Sequence, residues 1–455
     1  MVYNIVMSKN LVRHLSFMSL LNAQKPDNIA ISYDEDGVFA SLTYKELIER
    51  IEKYPIKDKN SIGILTENNI ETVLAIFAYA KAKKQIVLLN PMDGVTTLKE
   101  QIQATDVDYL VGRREQVSTL EEFVNDNDIE PNGNIIFFTS GTTSASKGVV
   151  LTEKSLCASA YNGGYLLPLK EKDVLLSILP LSHVFGFVCS LLWGLSFGCT
   201  VALGRGLRHL LDDGEYFKAT TIALVPQIAS FMAQNNIFNK ELKTVLIGAG
   251  PCPKETMSAF KNNGIRVAFG YGLTETSSGV ALAIGNDPEA MTVCPEDEIK
   301  IADDGEILIR SSTCLMRGYY NDEKDTKEAI IDGYFHTGDL GKFDPDGFLH
   351  ISGRKKNIFV LSDGTKIYCP DYEAALAKLL PGTDFTIVLI NDKIVLFVYD
   401  EKHLVDIELK VKRFNLSRPR NQRIAKIKML DHKLPRTQTG KIKRWLLEEK
   451  AGGKI

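Results

Sequence analysis

Short apolar runs alternate with stretches of helical period along the first 350 residues. Ser61–Thr66, Gln85–Leu89, Ile135–Phe138, Val174–Leu179, Thr220–Val225 and Thr244–Ile247 are runs of four to six residues rich in β-branched and aliphatic side chains. Runs of that kind predict strands covered on both faces. Asp108–Val111 reads as a further short strand, and Asn69–Lys81 and Thr152–Gly163 carry the spacing of helices. The alternation predicts an α/β fold whose large N-terminal domain layers mostly parallel sheets with helices. From Glu306 onward the pattern changes to short strands with Gly and Asp turns, as in Asp303-Asp304-Gly305 and Asp344-Pro345-Asp346-Gly347. That predicts a small antiparallel β subdomain. A boundary near Gly353-Arg354-Lys355-Lys356 divides the chain into 1–354 and a small α+β C-terminal domain, 355–455.

Val184 to Gly204 holds no charge over 21 residues, long enough to span a bilayer. Its glycines between Gly194 and Gly198 instead suit a buried helix followed by a buried strand, so no integral membrane segment is expected. Composition adds limits rather than leads. The chain has 455 residues, 44% hydrophobic and 24% charged, with net charge −3. That is ordinary for a globular protein and gives no overall attraction to nucleic acid. Seven cysteines stand without a CxxC pair, which disfavours a disulfide framework or structural zinc. With no apolar signal segment in the first residues, the expected compartment is the cytoplasm. The last 100 residues carry roughly 20 basic against roughly 12 acidic side chains.

The chemistry gathers in loops. Thr139-Ser140-Gly141-Thr142-Thr143-Ser144-Ala145-Ser146-Lys147-Gly148 follows a buried strand. Small hydroxyls, glycines and one lysine suit a polyphosphate, through backbone N–H groups, hydroxyls and one positive charge. It is not a Walker A loop, because Ser146 precedes Lys147 and Gly148 follows it. Gly248-Ala249-Gly250 leaves a strand end where a flat ring can lie. Tyr271-Gly272-Leu273-Thr274-Glu275 offers an aromatic ring, a hydroxyl for phosphate and a carboxylate for Mg²⁺. Asp339, in His336-Thr337-Gly338-Asp339, can accept from two ribose hydroxyls, with Arg354 within reach of sugar or phosphate. Lys441, in Thr439-Gly440-Lys441-Ile442, can bring positive charge to a carboxylate and an α-phosphate together. Taken singly, each segment suits an ordinary turn as well.

Taken together, and in this order, they resemble the adenylate-forming superfamily of acyl-CoA synthetases, peptide-synthetase adenylation domains and beetle luciferases. The resemblance runs from about Ile29 to Leu447. It rests on TSGTT…KG, YGLTET, Gly318–Asn321 (GYYN), Tyr334–Gly341, Ser352–Asn357 (SGRKKN) and LPRTQTGKI. It implies that a carboxylate attacks the α-phosphate of ATP to give acyl-AMP and pyrophosphate, and that a thiol of CoA or phosphopantetheine then displaces AMP. It further implies that Thr139, Ser140, Gly141, Thr142, Thr143 and Lys147 hold the β- and γ-phosphates. Gly248, Ala249, Gly250, Tyr271 and Gly272 would flank adenine, and Thr274 would meet the α-phosphate. Thr139 and Glu275 would bind Mg²⁺; Asp339 and Arg354 would hold the ribose. Lys441 would serve adenylation alone, on a mobile C-terminal domain hinged at Lys356, and the loop around Gly364 would line a thiol tunnel.

Ser144 and Ser146 depart from the glycine and proline usual in that loop. For the acid, Leu179–Gly186 carries His183-Val184 where amino-acid-activating relatives carry Phe-Asp, and a buried ammonium without a counter-charge is costly. His183 would flank the carboxylate pocket. An apolar wall of Val184, Phe185, Phe187, Val188 and Leu191, with Ala223 to Gln227, suits an aliphatic or aryl acid. Gly206–Leu210 resembles bacterial long-chain fatty acid ligases. The expected activity is therefore a fatty acid–CoA ligase. The alternatives are a ligase that loads an acyl carrier protein and a degenerate nucleotide-binding member.

Overall fold

The computed structural model describes residues 14–125, 129–139, 147–285, 287–400, 406–436 and 442–452. The chain divides into two compact units. The first takes residues up to 139, 147–337 and 341–351; the second takes 338–340 and the residues from 352 on.

Two sheets form the bulk of the first unit. The larger has nine strands, in the order Thr292–Val293, Ser278–Ile284, Arg266–Leu273, Thr244–Ile247, Thr221–Leu224, Val174–Ser177, Thr200–Leu203, Ile29–Glu35 and Val38–Thr43. Its six central strands, Arg266–Leu273 to Ile29–Glu35, run parallel, with antiparallel strands at both edges. The second has six strands, in the order Gly318–Tyr319, Gly148–Thr152, Asn134–Phe138, Gln85–Leu89, Ser61–Leu65 and Tyr109–Val111. A single apolar cluster takes Ile62, Ile86, Phe137 and Val149 from the smaller sheet and Leu175, Val201 and Ala268 from the larger. The helix Ile70–Lys81 belongs to it and buries ten of its twelve side chains. A helix apolar all round has to be covered on every side, which is why this one lies inside the unit. Asp297–Ile301, Glu306–Ser311, Ile330–Ile331, Tyr334–Phe343 and Leu349–Arg354 form a third, five-stranded sheet, mostly in the first unit, which begins at Asp297, ahead of the Glu306 start read from the sequence.

The second unit has a three-stranded sheet, Asp384–Ile390, Lys393–Tyr399 and Ile424–Met429, with helices Cys369–Ala377 and Ile407–Leu416 over a core that includes Leu376, Leu396 and Phe414. Among the described residues, no helix is long and apolar enough to cross a membrane. The uncharged stretch from Val184 is instead a short α-turn, Val184–Phe187, a π-helical turn, Val188–Leu192, and another α-turn, Trp193–Ser196, before the strand Thr200–Leu203.

Candidate functional site

The phosphate-type loop connects two antiparallel strands of the smaller sheet, Asn134–Phe138 and Gly148–Thr152. The Thr139 N–H donates to the Lys147 carbonyl at 3.1 Å and closes the loop's base. The next element in sequence is a strand, so the loop does not lead directly into a helix N-terminus as a Walker A loop does. Ser140, Gly141, Thr142, Thr143, Ser144 and Ser146 lie outside the described residues, as does Lys441.

Lys147 meets residues that sequence reasoning left without a role. The strand Gly318–Tyr319 pairs with Gly148–Thr152, and the Tyr320 N–H donates to the Gly148 carbonyl at 2.8 Å. This sets the Tyr319 ring beneath Lys147, whose Nζ is 4.6 Å from the ring centroid. The Tyr319 hydroxyl donates to Glu275 Oε1 at 3.0 Å. Burial first, and the neighbouring Glu275 charge second, push the Tyr319 phenol far up, so it stays a donor at neutral pH. Lys147 also pairs with the carboxylate of Asp325. One phenol thus ties the loop's cation to the carboxylate expected to hold Mg²⁺. The GYYN motif was the only sign of Tyr319 in the sequence, and nothing there marked Asp325.

Glu275 sits in a one-turn 3₁₀ segment, Thr274–Thr276, after a strand that continues through Tyr271 and Gly272 with a register shift between the two. Gly272 is required there, because a Cβ would lie 1.4 Å from the Ser278 carbonyl oxygen. Past the turn, Ser277 and Ser278 both hold positive φ, 53° and 100°. Consecutive residues in that region store backbone strain of the kind that gathers at functional sites. One Glu275 oxygen takes the Tyr319 hydroxyl, and Glu275 is in no ion pair among the described residues. Among those residues no three metal-type side chains cluster. A single carboxylate outside any ion pair among the described residues, joined through Tyr319 to Lys147, fits an ion that arrives with phosphate oxygens, as Mg²⁺ commonly does.

The strands Thr221–Leu224 and Thr244–Ile247 end side by side, where the Gly248 N–H donates to the Leu224 carbonyl at 3.1 Å. Ligands of open parallel sheets bind at such carboxyl ends. Ala249 takes φ +67° between its two glycines. A Cβ on Gly248 would lie 2.8 Å from the Phe185 ring, so Phe185 closes one side of this crevice. His183 caps the turn that carries Phe185; its side chain makes no hydrogen bond among the described residues, and burial lowers its pKa, leaving a neutral imidazole.

The expected apolar wall is corrected here. Val184, Phe187, Val188 and Leu191 belong to the core, and Phe187 packs on Phe17 and Phe137 at 5.8 and 5.7 Å between centroids. Spacings of three and four put those residues on one helical face. Phe185, beside Gly248, and Cys189, whose Sγ is 3.5 Å from Ser278 Oγ, are half-buried at the edge of the same core.

In the second unit, Asp339 lies inside the long strand Tyr334–Phe343 rather than in a turn, and the Arg354 Nε–H donates to its carboxylate. Tyr368 packs over Gly353, its hydroxyl 2.3 Å from where a Cβ would stand. Lys356 is exposed in the one-turn segment Lys355–Asn357, and Gly364 occupies the turn between Ile358–Val360 and Lys366–Tyr368. On either side of Lys441, Arg436 and Ile442 form a bridge and the Lys443 N–H donates to the Pro435 carbonyl at 2.8 Å.

Comparisons with known proteins bear on the family and the fold. Residues 129–320 match the family model of the AMP-binding enzymes. A 2-succinylbenzoate–CoA ligase of Listeria innocua is 27% identical over 90% of this chain and 94% of its own length. That of Listeria monocytogenes is 30% identical over 69% of each chain. Among solved structures, the o-succinylbenzoate CoA synthetase of Bacillus subtilis, in complex with its acyl-adenylate, superposes with a TM-score of 0.78 at 23% identity. That match covers 95% of this chain and 97% of the other. ATP-bound MatB of Rhodopseudomonas palustris superposes with a TM-score of 0.78 at 19% identity, over 95% and 98% of the two chains.

Proposed function

The chain belongs to the adenylate-forming, AMP-binding enzymes, and from that premise we propose that it is an ATP- and Mg²⁺-dependent acid–CoA ligase acting on 2-succinylbenzoate or a close aryl acid. The observation that carries the reading is the Lys147–Tyr319–Glu275 link, which joins a phosphate-type cation to a metal-type carboxylate. The acid follows the curated relatives. The expectation of a fatty acid has no support among them. Four of the five side chains at 184–191 expected to wall an aliphatic or aryl acid are buried in the core, which leaves less apolar surface there for a long chain.

In this reading the 139–147 loop grips the leaving pyrophosphate, with Thr139 and Glu275 holding Mg²⁺. Mg²⁺, when bound, neutralises charge on the phosphates during displacement. Gly248, Ala249, Gly250, Tyr271 and Gly272 bracket adenine, Thr274 meets the α-phosphate, and Asp339 and Arg354 hold the ribose. The acid's carboxylate oxygen bonds to the α-phosphorus as pyrophosphate departs, and Lys441 offsets the charge that develops. A thiol then attacks the acyl carbon and expels AMP, with Lys356 as the hinge and Gly364 at the thiol's approach. His183 faces the acid's carboxylate as a neutral donor.

Thioester formation with CoA and with a holo-carrier protein, across 2-succinylbenzoate, benzoate, malonate and decanoate, tests the reading. CoA with 2-succinylbenzoate is expected to be the best pair. A preference for the carrier or for decanoate overturns the acceptor or the acid, respectively. Phe185→Ala is expected to raise the ATP KM as well as the acid KM, each by about threefold to tenfold, because the truncated ring lies against Gly248, which this reading sets beside adenine. Steady-state kinetics with each substrate varied in turn measures both effects.

A further inference from the structure

Lys147 is held by more than its loop. Its ammonium lies over the Tyr319 ring and pairs with Asp325, a residue 178 positions away. Asp325 belongs to the short helix Glu323–Ala329, which is fixed independently of that carboxylate. The helix is capped by Asp322, whose carboxylate accepts the Asp325 N–H at 2.9 Å. It is tied to the sheet by Thr326, whose hydroxyl accepts the Tyr319 N–H at 2.9 Å. The Asp325 side chain is therefore not needed to form its own turn. Lys147, acting first as hydrogen-bond donor and then through its charge, holds the Asp325 carboxyl below the usual carboxylate range.

An ammonium that meets both a carboxylate and a polyphosphate must divide its donors between two anions, and the carboxylate adds like-charge repulsion toward the phosphates. We propose that Asp325 is a positioning residue that acts through Lys147, as an internal counter-ion competing with the triphosphate and so setting how tightly the chain holds ATP. This rests on the ATP reading above. It distinguishes ligands by their phosphates. ATP and pyrophosphate compete with Asp325 for Lys147, whereas AMP, which lacks the β- and γ-phosphates, does not.

Equilibrium titration of wild type, Asp325→Asn, Asp325→Ala and Asp325→Glu with ATP, pyrophosphate and AMP tests this. Asp325→Asn and Asp325→Ala are expected to bind ATP and pyrophosphate about threefold to tenfold more tightly, with AMP affinity unchanged. Asp325→Glu, which keeps the charge, should stay near wild type. Unchanged or weaker ATP binding by the two neutral variants overturns the proposal, as does an equal gain for AMP, which would mark a general loosening of the site. If the wild-type protein binds no ATP, the nucleotide reading itself falls and takes this proposal with it. If wild type binds ATP but the neutral variants gain nothing, only the role of Asp325 is lost.

Discussion

Glu275→Gln is expected to slow acyl-adenylate formation by about 10²–10³-fold while leaving the fold intact. The substitution keeps an oxygen for the Tyr319 hydroxyl, which now donates to Glu275 at 3.0 Å, so the local hydrogen bond survives. The carboxylate charge, the feature suited to Mg²⁺, is what disappears. Tyr319→Phe is the matching control. It keeps the ring under Lys147 and the charge on Glu275, removes only the link, and should cost about tenfold. The rate of pyrophosphate release at saturating acid, over a Mg²⁺ titration, measures both. The glutamine variant should not be rescued by excess Mg²⁺ to more than a small fraction of wild-type rate. Wild-type activity with glutamine would remove Glu275 from the metal site.

Lys441→Ala is expected to separate the two half-reactions. Adenylation should fall by about 10³-fold, the scale of losing one charge that acts mainly in the transition state. Conversion of supplied acyl-AMP and CoA to thioester should stay within about threefold of wild type. The neighbouring chain explains why the effect should be chemical rather than structural. Leu434 and Leu447 are buried on either side, and the Arg436–Ile442 bridge closes the segment without the lysine. The Leu434 N–H and the Arg436 guanidinium both bind the Asp384 carboxylate. Assaying each half-reaction separately measures the split. An equal fall in both would assign Lys441 to stability or to both steps, and the domain-swing reading would fail.

The strands were the most legible part of the sequence. Gln85–Leu89 and Thr244–Ile247 are found where their apolar runs placed them, because strands buried on both faces admit little except aliphatic side chains. The stretch Val184–Leu192 was harder for the same physical reason. It is apolar all round, so its pattern could not say which face met the core. The structure resolves it, with Val184, Phe187, Val188 and Leu191 buried and Phe185 and Cys189 half-buried at the edge of that core. Asp339 read equally well as a turn residue, because the tripeptide Thr337-Gly338-Asp339 hides its place within a ten-residue strand.

The site residues that went unread share one property: their partners are remote. Tyr319 meets Glu275 across 44 positions, and Asp325 meets Lys147 across 178. Both contacts exist because Gly318–Tyr319 adds to the sheet edge beside Gly148–Thr152, a pairing that no local pattern announces. Motif resemblance supplied the ligand assignments, while the sheet supplied the geometry that brings Tyr319 and Asp325 to Lys147.

The central claim is that this chain activates a carboxylic acid as its adenylate. Exchange of labelled pyrophosphate into ATP, with and without 2-succinylbenzoate, measures that step in the absence of CoA. The expected result is exchange that requires both the acid and Mg²⁺ and proceeds without any thiol. No exchange with 2-succinylbenzoate or with any other carboxylic acid would contradict it.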